Sequence, residues 1–224
     1  MAQPIGRFAG GLPQLEPCAV GGPGSGAELF VVEGESAAAA VTRIRDPAFQ
    51  AVLPMRGKPL NAFKASRQRV AGHAQYRALA DALGTSIGAE FDAGRLRFDR
   101  ILLLMDPDAD GIHCGVLLLM FFHRWMRPLL EAGRVEVVRP PWGEVTRAGE
   151  GGCRLAFSAE ELAGLAAATP ERAAGTSRRY RGLAALDARV LHANCVAPAT
   201  RRTEPVSPAR VEALMAIMQD LSIT

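Results

Sequence analysis

Apolar residues along this chain gather into short unbroken runs separated by longer stretches of helical spacing. ELFVV at residues 28–32 is β-prone throughout, the pattern of a strand covered on both faces. Helical spacing follows over 37–44 and stops at Asp46-Pro47. A second short strand, 51–53, leads into PMRGKPLN at 54–61, after which helical spacing returns over 61–70 and 75–83 and ends at Gly84. ILLLM at 101–105 is a third strand and runs straight into the acids of DPDADG, 106–111. The stretch 113–132 is too apolar all round for a surface helix, so it is expected to pack under the sheet. RVEVV at 134–138 makes a fourth strand. Strands alternating with helices predict an α/β fold: a Rossmann-like, mostly parallel sheet flanked by helices, with right-handed crossovers.

The two ends read differently. Residues 1–27 are rich in Gly and Pro with little apolar periodicity, an N-terminal arm or loop. The sheet domain is expected over 28–143, and 144–224 as a smaller, α-rich C-terminal tail subdomain packed on the sheet. Within the tail, helices are expected over 158–168 and 207–221, a turn at Gly149-Glu150-Gly151-Gly152, and a basic patch with one aromatic at 177–183.

The acids after the third strand carry the first chemistry. In an extended segment alternate side chains point the same way, so Asp106, Asp108 and Asp110 would face one small volume. Three like charges held together raise one another's pKa values, and a hard divalent cation such as Mg²⁺, which prefers oxygen ligands, removes that penalty. Two other readings share the spacing. A calcium loop of the helix–loop–helix kind needs a bidentate Glu at its twelfth position, where this chain has Leu117. A solvated acidic turn capping the next helix needs no metal at all. Gly34 lets the backbone turn directly after the first strand and leaves Glu33 at that strand's carboxyl end, the edge at which open α/β sheets bind ligands. Arg56, Gly57 and Lys58 place two cations around a flexible glycine, suited either to a phosphate or simply to solvent.

Composition narrows this only mildly. The 224 residues suffice for one good core or a domain with an appendage. A net charge of +3 permits a nucleic-acid partner without requiring one. Lys58 and Lys64 are the only lysines, so the positive charge is nearly all Arg, the side chain that forms bidentate phosphate contacts. Cys18, Cys114, Cys153 and Cys195 form no C-x-x-C pair, which points away from a zinc site or a disulfide framework and toward a reduced, cytoplasmic setting. No signal pattern opens the chain, and the longest apolar run, 116–122, is far too short to span a bilayer, so no membrane partner is expected.

EGESA (33–37), PMRGKPLN (54–61), DPDADG (106–111) with LLLMFFHRWM (117–126), and RPPW (139–142) occur in one order. Together they resemble the TOPRIM region of the B subunit of bacterial type IIA topoisomerases, gyrase and topoisomerase IV. GGLPQLEPC (10–18) resembles the segment entering that region, and RRYRGLAALDARVL (178–191) the family's R-Y-K-G-L-G-E-M stretch. The ordered set is specific where each motif alone is weak.

The resemblance implies roles. Glu33, Asp106 and Asp108 match the family's catalytic magnesium ligands, and Asp110 a nearby acid that supports them. Lys58 and Asn61 match DNA-touching positions, Arg56 a basic residue near the cleaved phosphate, and His113 the family's His after the acidic motif. The implied cofactor is Mg²⁺, one ion or two, with Mn²⁺ able to substitute, and no ATP site is expected in this chain. The implied partners are DNA, an A subunit that supplies the attacking tyrosine, and as a further candidate a separate ATPase-bearing B subunit. Glu35 stands where the family commonly has Asp, Ala38 and Ala39 where it has glycines, Arg56 where it has Lys, and Ala184-Ala185-Leu186 where it has G-E-M. Three functions therefore stay open: the metal-binding DNA-cleavage and religation half of a type II DNA topoisomerase, a stand-alone regulatory module that binds the A subunit or DNA without catalysis, and a metal-dependent nuclease. Fragment and stand-alone paralogue are both compatible with the sequence.

Overall fold

A computed structural model describes residues 3–4, 14–146, 152–168 and 176–221. In chain order, β1 (Gln3–Pro4) pairs with β2 (Val20–Gly21), and β3 (Glu28–Glu33) leads through α1 (Gly34–Thr42) into β4 (Gln50–Met55). Next come α2 (Arg67–Gly72), α3 (Ala74–Leu83), β5 (Arg100–Leu104), α4 (Ala109–Trp125), α5 (Arg127–Glu131) and β6 (Val135–Val138). The remainder holds β7 (Gly143–Thr146), β8 (Cys153–Ala156), α6 (Ala159–Ala167), β9 (Thr176–Arg179), α7 (Ala188–Leu191), β10 (Thr203–Pro205) and α8 (Pro208–Leu221).

The main sheet has the order β10-β6-β5-β3-β4, parallel except for the antiparallel edge strand β10. This is the mostly parallel α/β sheet that the strand–helix alternation predicts. Leu29, Val31, Ile101 and Leu103 face α3, α4, α5 and α8, while Phe30, Val32, Leu102 and Leu104 face α1, α7 and the segment around Leu183. Both faces are covered, which is why these strands read as continuous apolar runs rather than alternating ones.

The chain passes from β3 outward to β4 and then returns to lay β5 on the other side of β3. The strand order therefore reverses between β3 and β5, and the crevice beyond their carboxyl ends is where such sheets take ligands. At the far edge, Val52 of β4 exchanges two backbone hydrogen bonds with Glu16, both 2.9 Å. The arm expected over 1–27 thus covers the sheet edge in part, with Leu15 and Cys18 buried; residues 1–2 and 5–13 of that expectation lie outside the described residues. Pro54, which has no N–H to donate, sits on this same edge strand, where it is tolerated.

Two helices differ from the expected ones. The stretch expected as one helix over 113–132 begins earlier, at Ala109, and breaks at Met126, whose φ of −140° is not helical. Pro128 at the start of α5 explains the break: its ring and missing N–H are accepted in a first turn but not in a helix interior. The helix expected from residue 61 begins only at Arg67, because Asn61 Oδ1 accepts the Phe63 and Lys64 N–H groups at 3.1 and 3.2 Å and holds a turn instead.

The tail does more than pack on the sheet. It supplies β10, adds α8 against α4, and forms a three-stranded antiparallel sheet, β8-β7-β9, that weak periodicity did not foretell. The expected turn at 149–152 falls almost wholly outside the described residues. Glu204 of β10 ties the layers together: Arg139 Nε and Nη2 lie 2.5 and 3.0 Å from its carboxylate, and Arg210 of α8 lies 2.7 Å away. Hydrogen bonds from Arg139 and Arg210 hold the Glu204 carboxyl down to about 2, below its ordinary 4.5. A depressed carboxyl stabilises the fold above its unfolded value and loses that contribution as pH falls from about 4.5 to about 2. Glu204→Gln is therefore expected to flatten the acid limb of the stability profile across that interval, measured by urea unfolding at successive pH values. An acid limb identical to the parent's would remove the network from the account.

Candidate metal centre

Glu33 is the last residue of β3, and Asp106 follows Met105 just past the end of β5. In the parallel register Val32 lies beside Leu104, so the two acids emerge at neighbouring strand tips, at the point where the strand order reverses. Gly34, with φ of +72°, makes the turn that a side-chain-bearing residue would resist, and leaves Glu33 half-buried at the rim.

Asp108 and Asp110 arrive by a different route from the expected one. The segment after β5 is not extended through all three acids: α4 starts at Ala109, so alternate side chains cannot share a strand face. Asp108 is the helix N-cap, its Oδ1 accepting the Gly111 N–H at 2.8 Å, and Asp110 lies in the first turn. The capping reading and the ligand reading are thus compatible within this one turn. Gly111 is required for close approach, since a Cβ there would fall 2.2 Å from the Asp106 carbonyl oxygen.

The acids act on one another. Burial pushes the Glu33 carboxyl above its ordinary range, and Asp106, Asp108 and Asp110 push it further, against the pull of Lys58. Burial likewise raises Asp106, opposed by a hydrogen bond from the Leu183 N–H and reinforced by Asp108. Among the described residues no three acidic, His or Cys side chains close on one point as they stand. Glu33 Oε2 is nevertheless buried with no hydrogen-bond partner. A buried carboxylate oxygen lacking a partner, among other hard oxygen donors, is chemistry that fits a magnesium or manganese ion.

The basic residues flank this rim. Lys58 Nζ lies 3.3 Å from Asp110 Oδ1, an exposed pair of small energetic weight that leaves the ammonium available to another anion. Arg56 Nε lies 2.5 Å from Glu35 Oε1, both side chains more than half exposed. The loop carrying them is held from α3 by the Gln75 amide, which donates to the carbonyls of Arg56 and of Gly57, the latter at 2.6 Å. Asn61 is half-buried and spends its carbonyl on the turn described above, and His113 is half-buried on α4, one turn after Asp110. Lys58 is thus brought to the acids, whereas Arg56 pairs at the surface with Glu35 and Asn61 Oδ1 holds its own turn.

Three participants, Gln75, Gly182 and Leu183, are not assigned to the site by the sequence reading. Gln75 carries no signal in a helix of ordinary composition. Gly182 and Leu183 approach Asp106 from the tail: the Leu183 N–H donates to Asp106 Oδ1 at 2.9 Å. Their sequence signal is the R-Y-R-G-L stretch, which reads as a basic patch and resembles the family's R-Y-K-G-L-G-E-M segment without indicating contact with an acid. The two tyrosines of the chain are both buried, Tyr76 bonded to the Leu60 carbonyl and Tyr180 to Glu144 Oε2 at 2.5 Å. Among the described residues no helix is long and apolar enough to cross a membrane.

The Toprim domain model matches residues 28–140. The DNA gyrase B protein of Thermotoga maritima is 40% identical over 178 residues, which cover 78% of this chain and 27% of that protein. Its counterpart in Mycobacterium tuberculosis is 39% identical over 198 residues, 86% of this chain and 29% of that one. The counterpart in Streptococcus pneumoniae is 36% identical over 200 residues, 87% and 30% respectively. The chain spans less than a third of the length of these curated relatives.

Proposed function

From the premise that this chain belongs to the Toprim domain family, we propose that its acidic rim is the metal-binding half of a DNA cleavage and religation centre of the type IIA topoisomerase kind. The observation that carries this reading is the pairing of Glu33 and Asp106 at adjacent tips of a parallel sheet, with Glu33 Oε2 buried and unpartnered beside them. Glu33, Asp106 and Asp108 would hold magnesium, and Asp110 would support them. When bound, that ion neutralises charge on a phosphate and stabilises a leaving 3′ oxygen.

This chain's own residues set the rest of the chemistry. Glu33, at the carboxyl tip of β3, would act either as a ligand to the ion or as proton donor to that oxygen. Lys58 draws the nucleic-acid backbone toward the acids, with Arg56, Asn61 and His113 along the same path. Neither tyrosine can serve as nucleophile: both hydroxyls are committed inside the core, and burial raises both pKa values. On this reading the attacking tyrosine is supplied by a partner A subunit, and the chain is half of a composite site.

The deciding experiment mixes the purified chain with a gyrase A subunit, supercoiled DNA and Mg²⁺. Cleaved DNA covalently attached to the A subunit is the expected product. Tight association with the A subunit and no adduct would replace this reading with a regulatory module, and free nicked DNA without any A subunit would replace it with a nuclease.

Charge reversal at Lys58 tests the DNA path separately. Lys58→Glu is expected to weaken binding across all sequences alike and to lower the slope of log K against log salt by about 1 or more. A titration series at several salt concentrations measures this, and an unaltered slope would take Lys58 out of the contact.

A further inference from the structure

Asp106 is held from two sides by backbone rather than by side chains. Beneath it, Gly111 packs directly against its main chain. Above it, residues 182–183 arch in from the tail, the Leu183 N–H bonding Oδ1 at 2.9 Å while Gly182 lies so close that a Cβ would meet Oδ2 at 2.9 Å and Cγ at 3.3 Å. The arch is stiff because both its feet are buried. On one side Tyr180 is fixed through its N–H to the Trp142 carbonyl at 3.0 Å and through its hydroxyl to Glu144. On the other, Leu183 and Leu186 are sunk in the same cluster as Val32 and Leu104, which lie at the ends of the two acid-bearing strands. Gly182 is extended, with φ of −170° and ψ of 167°, a conformation open to any residue. The glycine is therefore needed there for space against the carboxylate and not for backbone freedom.

We infer that Gly182 and Leu183 are positioning residues for the metal centre: their backbone clasps the Asp106 carboxylate and fixes which oxygen is turned toward the cation. The inference rests on the metal reading above. A donor bonded to Oδ1 orients the carboxylate without adding charge, as groups bonded to metal ligands commonly do, and loss of such support lowers metal affinity by roughly 10–100-fold. It also ties the tail, from Tyr180 onward, to a site built by β3 and β5.

The test is Mn²⁺ binding by the full chain, followed by electron paramagnetic resonance, in the parent, Gly182→Ala, Asp106→Ala and the double variant, together with exchange of the Leu183 amide proton followed by NMR. Gly182→Ala is expected to weaken Mn²⁺ binding about tenfold or more with its circular dichroism unchanged. The double variant is expected to bind no worse than Asp106→Ala alone, because the clasp acts only through that carboxylate. The Leu183 amide is expected to be protected in the parent and to exchange about tenfold faster or more in Asp106→Ala. Parent-like Mn²⁺ affinity in Gly182→Ala, an equal further loss in the Asp106→Ala background, or a Leu183 amide indifferent to Asp106→Ala would each overturn the clasp. Should Gly182→Ala fail to fold, the amide exchange decides alone. A parent whose Mn²⁺ binding ignores Asp106→Ala sinks the metal reading and the clasp together, whereas Asp106-dependent binding with an indifferent Gly182→Ala sinks the clasp only.

Discussion

Asp106→Ala is expected to abolish DNA cleavage in the reconstituted assay, a loss of about a thousandfold or more, while the chain remains folded. The size follows from the proposed role: removing a single group that stabilises developing charge already costs about 10²–10³ in rate, and Asp106 is the acid past the β5 tip that is proposed to serve both the ion and the clasp. Folding is expected to survive because two effects oppose each other. Loss of the carboxylate leaves the Leu183 N–H without its acceptor, at a cost of about 1–3 kcal/mol. It also relieves the burial and like-charge repulsion that raise Glu33 and Asp106. Asp106→Asn separates these effects, since it keeps an acceptor for Leu183 while removing the charge; it is expected to unfold above the parent's melting temperature and to match Asp106→Ala in inactivity. Cleavage that persists in either variant would refute the assignment of Asp106 to the metal.

Arg201→Ala is expected to destabilise the fold by roughly 3–5 kcal/mol, the range for breaking a buried ion pair from one side. Arg201 and Glu28 have side chains 1% and 3% exposed. The guanidinium grips both oxygens of Glu28, at 2.6 Å for Nη1, and also reaches the Val196 carbonyl. Gln50 donates to the same carboxylate at 2.9 Å, whereas Arg100 approaches it only to 3.4 Å. Without Arg201 the Glu28 carboxylate would stay buried at the start of β3 with too little compensation. For a chain of this length, roughly 2–4 °C of melting temperature per kcal/mol turns the loss into a readily measured shift. The double variant Glu28→Leu with Arg201→Met is expected to recover most of it, because exchanging a buried pair for apolar residues of similar volume is often close to neutral. Urea unfolding of the three variants tests this; a single-variant loss below about 1 kcal/mol would mean the pair is hydrated or replaceable.

These two residues mark the limits of what local pattern reveals. Asp106 is legible because it follows an apolar strand directly, and a parallel strand brings whatever follows it to the ligand-binding edge. Arg201 is not: it sits in a polar stretch of the tail without periodicity, and its burial is decided by Glu28 and Val196 rather than by its neighbours in sequence. The break at Met126 could have been read from Pro128, since proline is a first-turn residue. The late start of α2 could not, because Asn61 can serve equally as a helix residue or as the cap of a turn. The sheet β8-β7-β9 was missed for a related reason: β9 is exposed along its whole length and carries arginines in place of an apolar alternation.

From the sequence alone came the parallel sheet, the burial of both its faces, and the presence of Glu33 and the aspartates at its carboxyl edge, since strand runs, glycine turns and residue order are local properties that need no partner to be visible. Only the tertiary structure decided which of those acids meet and how. Strand order puts β3 beside β5 and so Glu33 beside Asp106; the start of α4 at Ala109 turns Asp108 into a cap; and the tail lays Leu183 on one carboxylate and Arg201 on another. The physical reason is that contacts between positions far apart in the chain depend on strand register and on the burial of distant side chains, and neither quantity is written in the periodicity of any one segment.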